Sequence, residues 1–246
     1  MDAFNRPRAE PMFNVPQVVL ALTGALVAVH LIRELVGREA SVDILLYFAF
    51  IPARYGGDAM GLVEWPGGVA ADVWTFVTYA FLHADWGHVT INSVWLLAFG
   101  SPVAWRFGTA RFLGFFVMTA AAGAAAHLVL HIGDPLPLVG ASAALSGCMA
   151  AAARFVFEAG GPLSAFRAHG AAAFRVPALP LAQALRDPRI VAFLAVWVLL
   201  NFLFGLGSLG SDFAGSTIAW EAHLGGFVAG LVGFALFDPI GGRRWS

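Results

Sequence analysis

The chain has 246 residues, 59% of them hydrophobic and only 12% charged, with a net charge of −1. A soluble domain carries about 25% charge, so this composition excludes an ordinary water-exposed surface, and the near-neutral balance excludes a nucleic-acid-binding face. Mean hydropathy of +0.77 and recurrent apolar runs, each long enough to cross about 30 Å of hydrocarbon, indicate an all-α polytopic membrane protein.

In chain order, residues 1–15 form a polar tail with two prolines. No small-residue cleavage motif follows the first apolar run, which therefore reads as a retained helix. Six runs stand out, at 16–36, 87–105, 111–132, 139–158, 189–207 and 217–237. Between the first two, residues 37–86 hold two apolar pieces, 45–52 and 73–83, too short to span and rich in aromatics. They suit a long, partly membrane-embedded first loop. Residues 158–187, with Gly-Gly, three prolines and three arginines, read as a loop with room for a short surface helix. No repeat or second domain is visible, so a six-helix domain over 16–237 is expected between the 1–15 and 238–246 tails. All 14 basic residues are arginine. A cytoplasmic N-terminus leaves Arg33, Arg38 and Arg54 outside and the other eleven inside, a positive-inside bias that puts both termini in the cytoplasm. Cys148 is the only cysteine, which excludes a disulfide framework and a Cys-based zinc site.

In this topology the second, fourth and sixth spans all run inward, so their first turns share one layer near the outer surface. That layer holds His88 and Asn92, at i and i+4 on one helix face, with Ser142 and His223. Polar groups in hydrocarbon are costly and mark functional sites. A hydroxyl nucleophile, an imidazole base and donors for an oxyanion make an acyl-transfer set. Gly226 and Gly230 on the sixth span, and Ala143 and Gly147 on the fourth, form small-xxx-small faces that let two helix backbones approach closely.

The pieces HADWGHVTIN (83–92), GASA (140–143) and AHLGGFVAG (222–230) resemble the HxxxxHxxxN, GxSx and AHxxGxxxG elements of the rhomboid intramembrane serine proteases. They occur in that family's order and on its second, fourth and sixth helices, and the resemblance covers about 70–237. It implies a six-transmembrane-helix rhomboid-like bundle with no metal or cofactor. Ser142 would be the nucleophile and His223 the general base. His88, Asn92 and the Ser142 N–H would stabilise the oxyanion, His83 would order the outer loop, and Gly140, Gly226 and Gly230 would be supporting residues. The implied substrates are transmembrane proteins in the lipid bilayer. A short six-span chain with no soluble domain suggests a bacterial inner membrane, and the protease reading has the active site opening to the outer side with the outer loop and fifth span as gates.

Four positions depart from the family pattern: Ala143 for glycine, Ser146 for an aromatic that stacks on the catalytic histidine, Thr75 for arginine and Ala104 for glutamate. Ser146, at i+4 from Ser142, is expected to face the site and hydrogen-bond His223 instead of stacking on it. Glu221, two residues before His223, points away from it on a helix and is expected to make an interface or loop contact. His30, His127 and His131 match no motif and read as solvated or interfacial, and His169 falls in the 158–187 loop. A His-cluster metal site is possible in principle, but the pattern offers no carboxylate at ligand spacing, and no metal site is expected. Two other readings are a non-catalytic rhomboid-like protein that binds membrane clients and a small transporter. Relatives of the first kind lack the serine or the histidine, and a transporter is expected to carry midplane polar residues in repeated halves. This chain has neither feature.

Overall fold

A computed structural model describes residues 15–56, 64–166, 168, 170–205 and 219–240. Ten helices are described: α1 (Gln17–Leu35), α2 (Arg38–Phe48), α3 (Gly68–Thr78), α4 (Trp86–Trp95), α5 (Ser101–Phe107), α6 (Thr109–His131), α7 (Ser142–Ala153), α8 (Leu181–Ala184), α9 (Pro188–Gly205) and α10 (Trp220–Phe237). A π-helical turn, Leu96–Gly100, joins α4 to α5. Both junctions keep right-handed helical backbone angles, so residues 86–107 form one helical path. By length and composition α1, α6 and α10 can each cross a bilayer, and α7 and α9 contain shorter apolar helices. The first apolar pieces of the 37–86 region fall within α2 and α3 and their flanking turns.

The bundle closes around α10, which packs most extensively on α6 and α7. Glycine makes this possible. A Cβ on Gly226 would lie 2.1 Å from the Ala143 carbonyl oxygen, and one on Gly230 would lie 2.5 Å from the Gly147 Cα. On the opposite side, a Cβ on Gly225 would lie 2.8 Å from the Ala122 carbonyl oxygen. Helix α10 is thus wedged backbone to backbone between two neighbours, the close approach that small residues allow in an apolar medium.

Helix α7 is shorter than the 139–158 run. Upstream, Phe50 and Leu138 exchange two backbone hydrogen bonds (3.2 and 2.8 Å) and the Gly140 N–H donates to the Tyr79 carbonyl (3.0 Å). These bonds hold the approach to α7 extended until Gly140, whose φ of +113° only glycine adopts without strain. Downstream, turns replace the helix after Ala153, where Arg154 donates to the Leu179 and Leu231 carbonyls. Beside it, fully buried Arg106 pairs with Asp238 through Nε and Nη2 (both 2.9 Å), donates to the Phe174 and Val176 carbonyls, and covers the rings of Phe155 and Phe234. Two arginines therefore clamp the ends of α5, α7 and α10 that lie away from Ser142.

The first-loop region is anchored without an arginine at position 75. Thr75 donates to the Ala71 carbonyl (2.7 Å) and contacts the Tyr55 hydroxyl (3.1 Å). Arg54 takes the cationic role, donating to Asp72 and to the Leu46 and Pro66 carbonyls while lying over Trp65.

Candidate active site

Ser142 is the first residue of α7, and no side chain caps that helix terminus. His223 lies in the first turn of α10, and its Nε2 is 2.7 Å from Ser142 Oγ. The other ring nitrogen, Nδ1, is 2.7 Å from Asn201 Oδ1 on α9. Asn201 Nδ2 donates to the Trp197 carbonyl (2.9 Å), which fixes the amide so that Oδ1 faces the imidazole. A carbonyl oxygen only accepts, so Nδ1 carries the proton and Nε2 offers its lone pair to the Ser142 hydroxyl. The chain Ser142–His223–Asn201 is therefore fully paired and directional.

Asp85 caps α4 by accepting the His88 N–H (2.8 Å), a position where Asp is strongly favoured. His88 Nδ1 accepts from the Ala84 N–H at 3.4 Å, which leaves the proton on Nε2. A Cβ on Gly140 would stand 2.7 Å from that Nε2 and 3.8 Å from Asn92 Nδ2. The missing side chain at Gly140 thus lets both donors approach the turn two residues before Ser142. Asn92 is buried and donates from Nδ2 to the His88 carbonyl (3.0 Å).

The remaining expected residues are placed as follows. Ser146 is buried, but its Oγ donates to the Ser142 carbonyl (2.8 Å), the i−4 bond that a helical serine makes by default. The expected bond from Ser146 to His223 is absent among the described residues. His83 is buried in the turn between α3 and α4, with its ring against His88 (centroids 5.0 Å apart) and its carbonyl accepting from Arg33 (2.7 Å). Burial, reinforced by His88 and His30, pushes its imidazole down to about 3, so His83 is neutral at physiological pH. Gly226 and Gly230 seat α10 on α7, as described above.

The solvated reading is corrected for His30 and His127, while His131 is partly exposed. His30 is buried, with its ring edge-on to Trp86 (4.6 Å), so it is not solvated. His127 is also buried, and it bonds Glu221 at 2.9 Å. His131 Nε2 lies 2.6 Å from the same carboxylate. A carboxylate does stand at ligand distance from two histidines, on a different helix that linear spacing cannot reveal. His169 lies outside the described residues. Asn201 carried no sequence signal, because it sits in an apolar stretch 22 residues before the histidine it orients.

No curated protein matches the chain. A family model described as Rhomboid domain matches residues 70–238, a span that contains all but the first two residues of α3, the whole of α4 to α10 and every residue of the Ser142–His223 site. That family consists in general of intramembrane serine proteases. With a helical bundle whose longest helices suit a bilayer, this chain is an integral membrane protein of the rhomboid family.

Proposed function

We propose that the chain is an intramembrane serine endopeptidase that hydrolyses peptide bonds in or near the transmembrane segments of other membrane proteins. The observation that carries the reading is the 2.7 Å contact between Ser142 Oγ and His223 Nε2, with Nδ1 occupied by Asn201. In that state His223 takes the hydroxyl proton as Oγ attacks a peptide carbonyl, then delivers it to the leaving amine. The developing oxyanion meets three donors: His88 Nε2–H, Asn92 Nδ2–H and the Ser142 N–H at the uncapped start of α7. Fixed donors aimed at a developing charge are usually the largest single contribution to catalysis.

The same reading has six spans between cytoplasmic termini and an active site opening outward from a bacterial inner membrane. A substrate helix must surrender backbone hydrogen bonds to expose a carbonyl, which favours locally unstable segments near the outer surface. The test is cleavage of a generic single-span substrate in detergent by wild type, Ser142→Ala and His223→Ala. Cleavage by wild type alone supports the dyad, and equal cleavage by all three contradicts it. A folded wild-type chain that cleaves nothing favours a non-catalytic client-binding protein.

A further inference from the structure

A second polar cluster lies at the same end of the bundle, apart from the Ser142 network. His127 and His131 stand one helical turn apart on α6, their rings stacked with centroids 4.3 Å apart. Glu221, in the first turn of α10, places Oε1 2.9 Å from His127 Nδ1 and 2.6 Å from His131 Nε2. One ligand-capable atom from each residue lies within 4.8 Å of the others. His127 and Glu221 are buried, whereas the His131 side chain is 36% exposed and opens the cluster to solvent. On its outer side, His131 Nδ1 faces Asp134 Oδ2 at 3.5 Å.

We infer that His127, His131 and Glu221 form a zinc-binding site, with Asp134 supporting His131 from behind. Two imidazoles and one carboxylate are a zinc ligand set that leaves a fourth position for water. At zinc bond lengths of about 2.0–2.2 Å, tetrahedral ligand atoms sit roughly 3.3 Å apart, so the Glu221 oxygen has to part from each nitrogen by less than about 1 Å, and the two rings, now stacked, have to turn until their lone pairs converge on one point. Without the ion, His127 Nδ1 bonds Glu221 and His131 Nε2 lies against the same carboxylate oxygen. With it, each ring presents a lone pair and carries its proton on the other nitrogen. On His131 that nitrogen is Nδ1, where Asp134 is placed to accept the hydrogen bond, the carboxylate–histidine–metal arrangement that fixes tautomer and raises ligand basicity. Imidazole-rich sites suit zinc better than calcium or magnesium. The site is held rigidly, because α6 and α10 meet backbone to backbone just below it, at Gly225 and Ala122.

Zinc binding does not depend on peptide hydrolysis and is measured without it. Full-length metal-free protein in detergent is titrated with zinc chloride by calorimetry, and with cobalt(II) by its visible absorption. The expected result is one saturable equivalent per chain and a zinc-dependent rise in Tm. His131→Ala should weaken binding at least tenfold and abolish the Tm rise. Asp134→Asn should weaken binding roughly 10- to 100-fold, and Ser142→Ala should bind as wild type does. Both His131 and Asp134 are partly exposed, and if His131→Ala does not fold, Asp134→Asn decides. Absence of saturable binding in folded wild type, or binding unchanged in the folded variants, overturns the site.

Discussion

At His223 the location of one proton decides whether the imidazole can act as a base toward Ser142, and Asn201 sets that location. Asn201→Ala removes the acceptor for Nδ1–H and frees the ring to take the opposite tautomer. The expected result is a fall in kcat of roughly 10- to 100-fold, up to the lower bound of a full general acid–base contribution because the base itself remains, with KM changed less than about threefold. Asn201→Asp, which still accepts from Nδ1, should recover a substantial part of that loss. An unchanged kcat in Asn201→Ala, measured on a single-span substrate, would contradict the assignment. Ser142, His223, His88 and Asn92 were legible because each sits in a short pattern at fixed spacing. Asn201 was not, since its partner is distant in sequence and its neighbours read only as membrane helix. Ser146 misled for a related reason. Helical spacing put it on the correct face, but a hydroxyl one turn from a free carbonyl satisfies itself there before reaching across to another helix.

Among the elements, the contact of α7 with α10 sets the distance between the Ser142 hydroxyl and the His223 imidazole. Gly226→Leu places a side chain where the Ala143 carbonyl now lies and forces the helices apart. Overpacking costs typically 1–3 kcal/mol, and a displacement of about 1 Å between reacting groups costs about 100-fold in rate. The variant should therefore show a lowered Tm together with a roughly 100-fold loss of cleavage. Gly24→Ala on α1, where an added Cβ meets nothing within 4 Å, should change neither. A Gly226→Leu variant with wild-type Tm and rate would show that the close approach does not govern the site. The apolar runs located α1, α6, α9 and α10 to within a few residues, because the hydrocarbon dimension imposes length directly on sequence. The ends of α7 were not legible. They are set by the Phe50–Leu138 pairing upstream and by Arg154 downstream, and both depend on segments remote in the chain.

The molecule as a whole separates the end that holds Ser142 and His223 from an end clamped by Arg106 and Arg154. His88 and Arg106 lie 18 residues apart on one helical path, about 27 Å at 1.5 Å per residue. Arg106→Met leaves Asp238 buried and unpaired, which typically costs 3–5 kcal/mol. Thermal unfolding should fall accordingly, while protein that remains folded should keep its reactivity at Ser142. Loss of that reactivity in folded Arg106→Met would mean that the two ends are coupled. The clamp was half legible, since arginine placement pointed to that end of the bundle but not to the pairing with Asp238. The His127–His131–Glu221 cluster was hidden altogether, because its carboxylate comes from another helix. A site that works as proposed activates one hydroxyl among all those in the chain. This is tested most directly by labelling folded protein with a serine-directed fluorophosphonate and mapping the adduct. Wild type should give a single adduct at Ser142 that is lost in both Ser142→Ala and His223→Ala. Labelling of equal rate in His223→Ala, or an adduct mapped to any other serine, would contradict it.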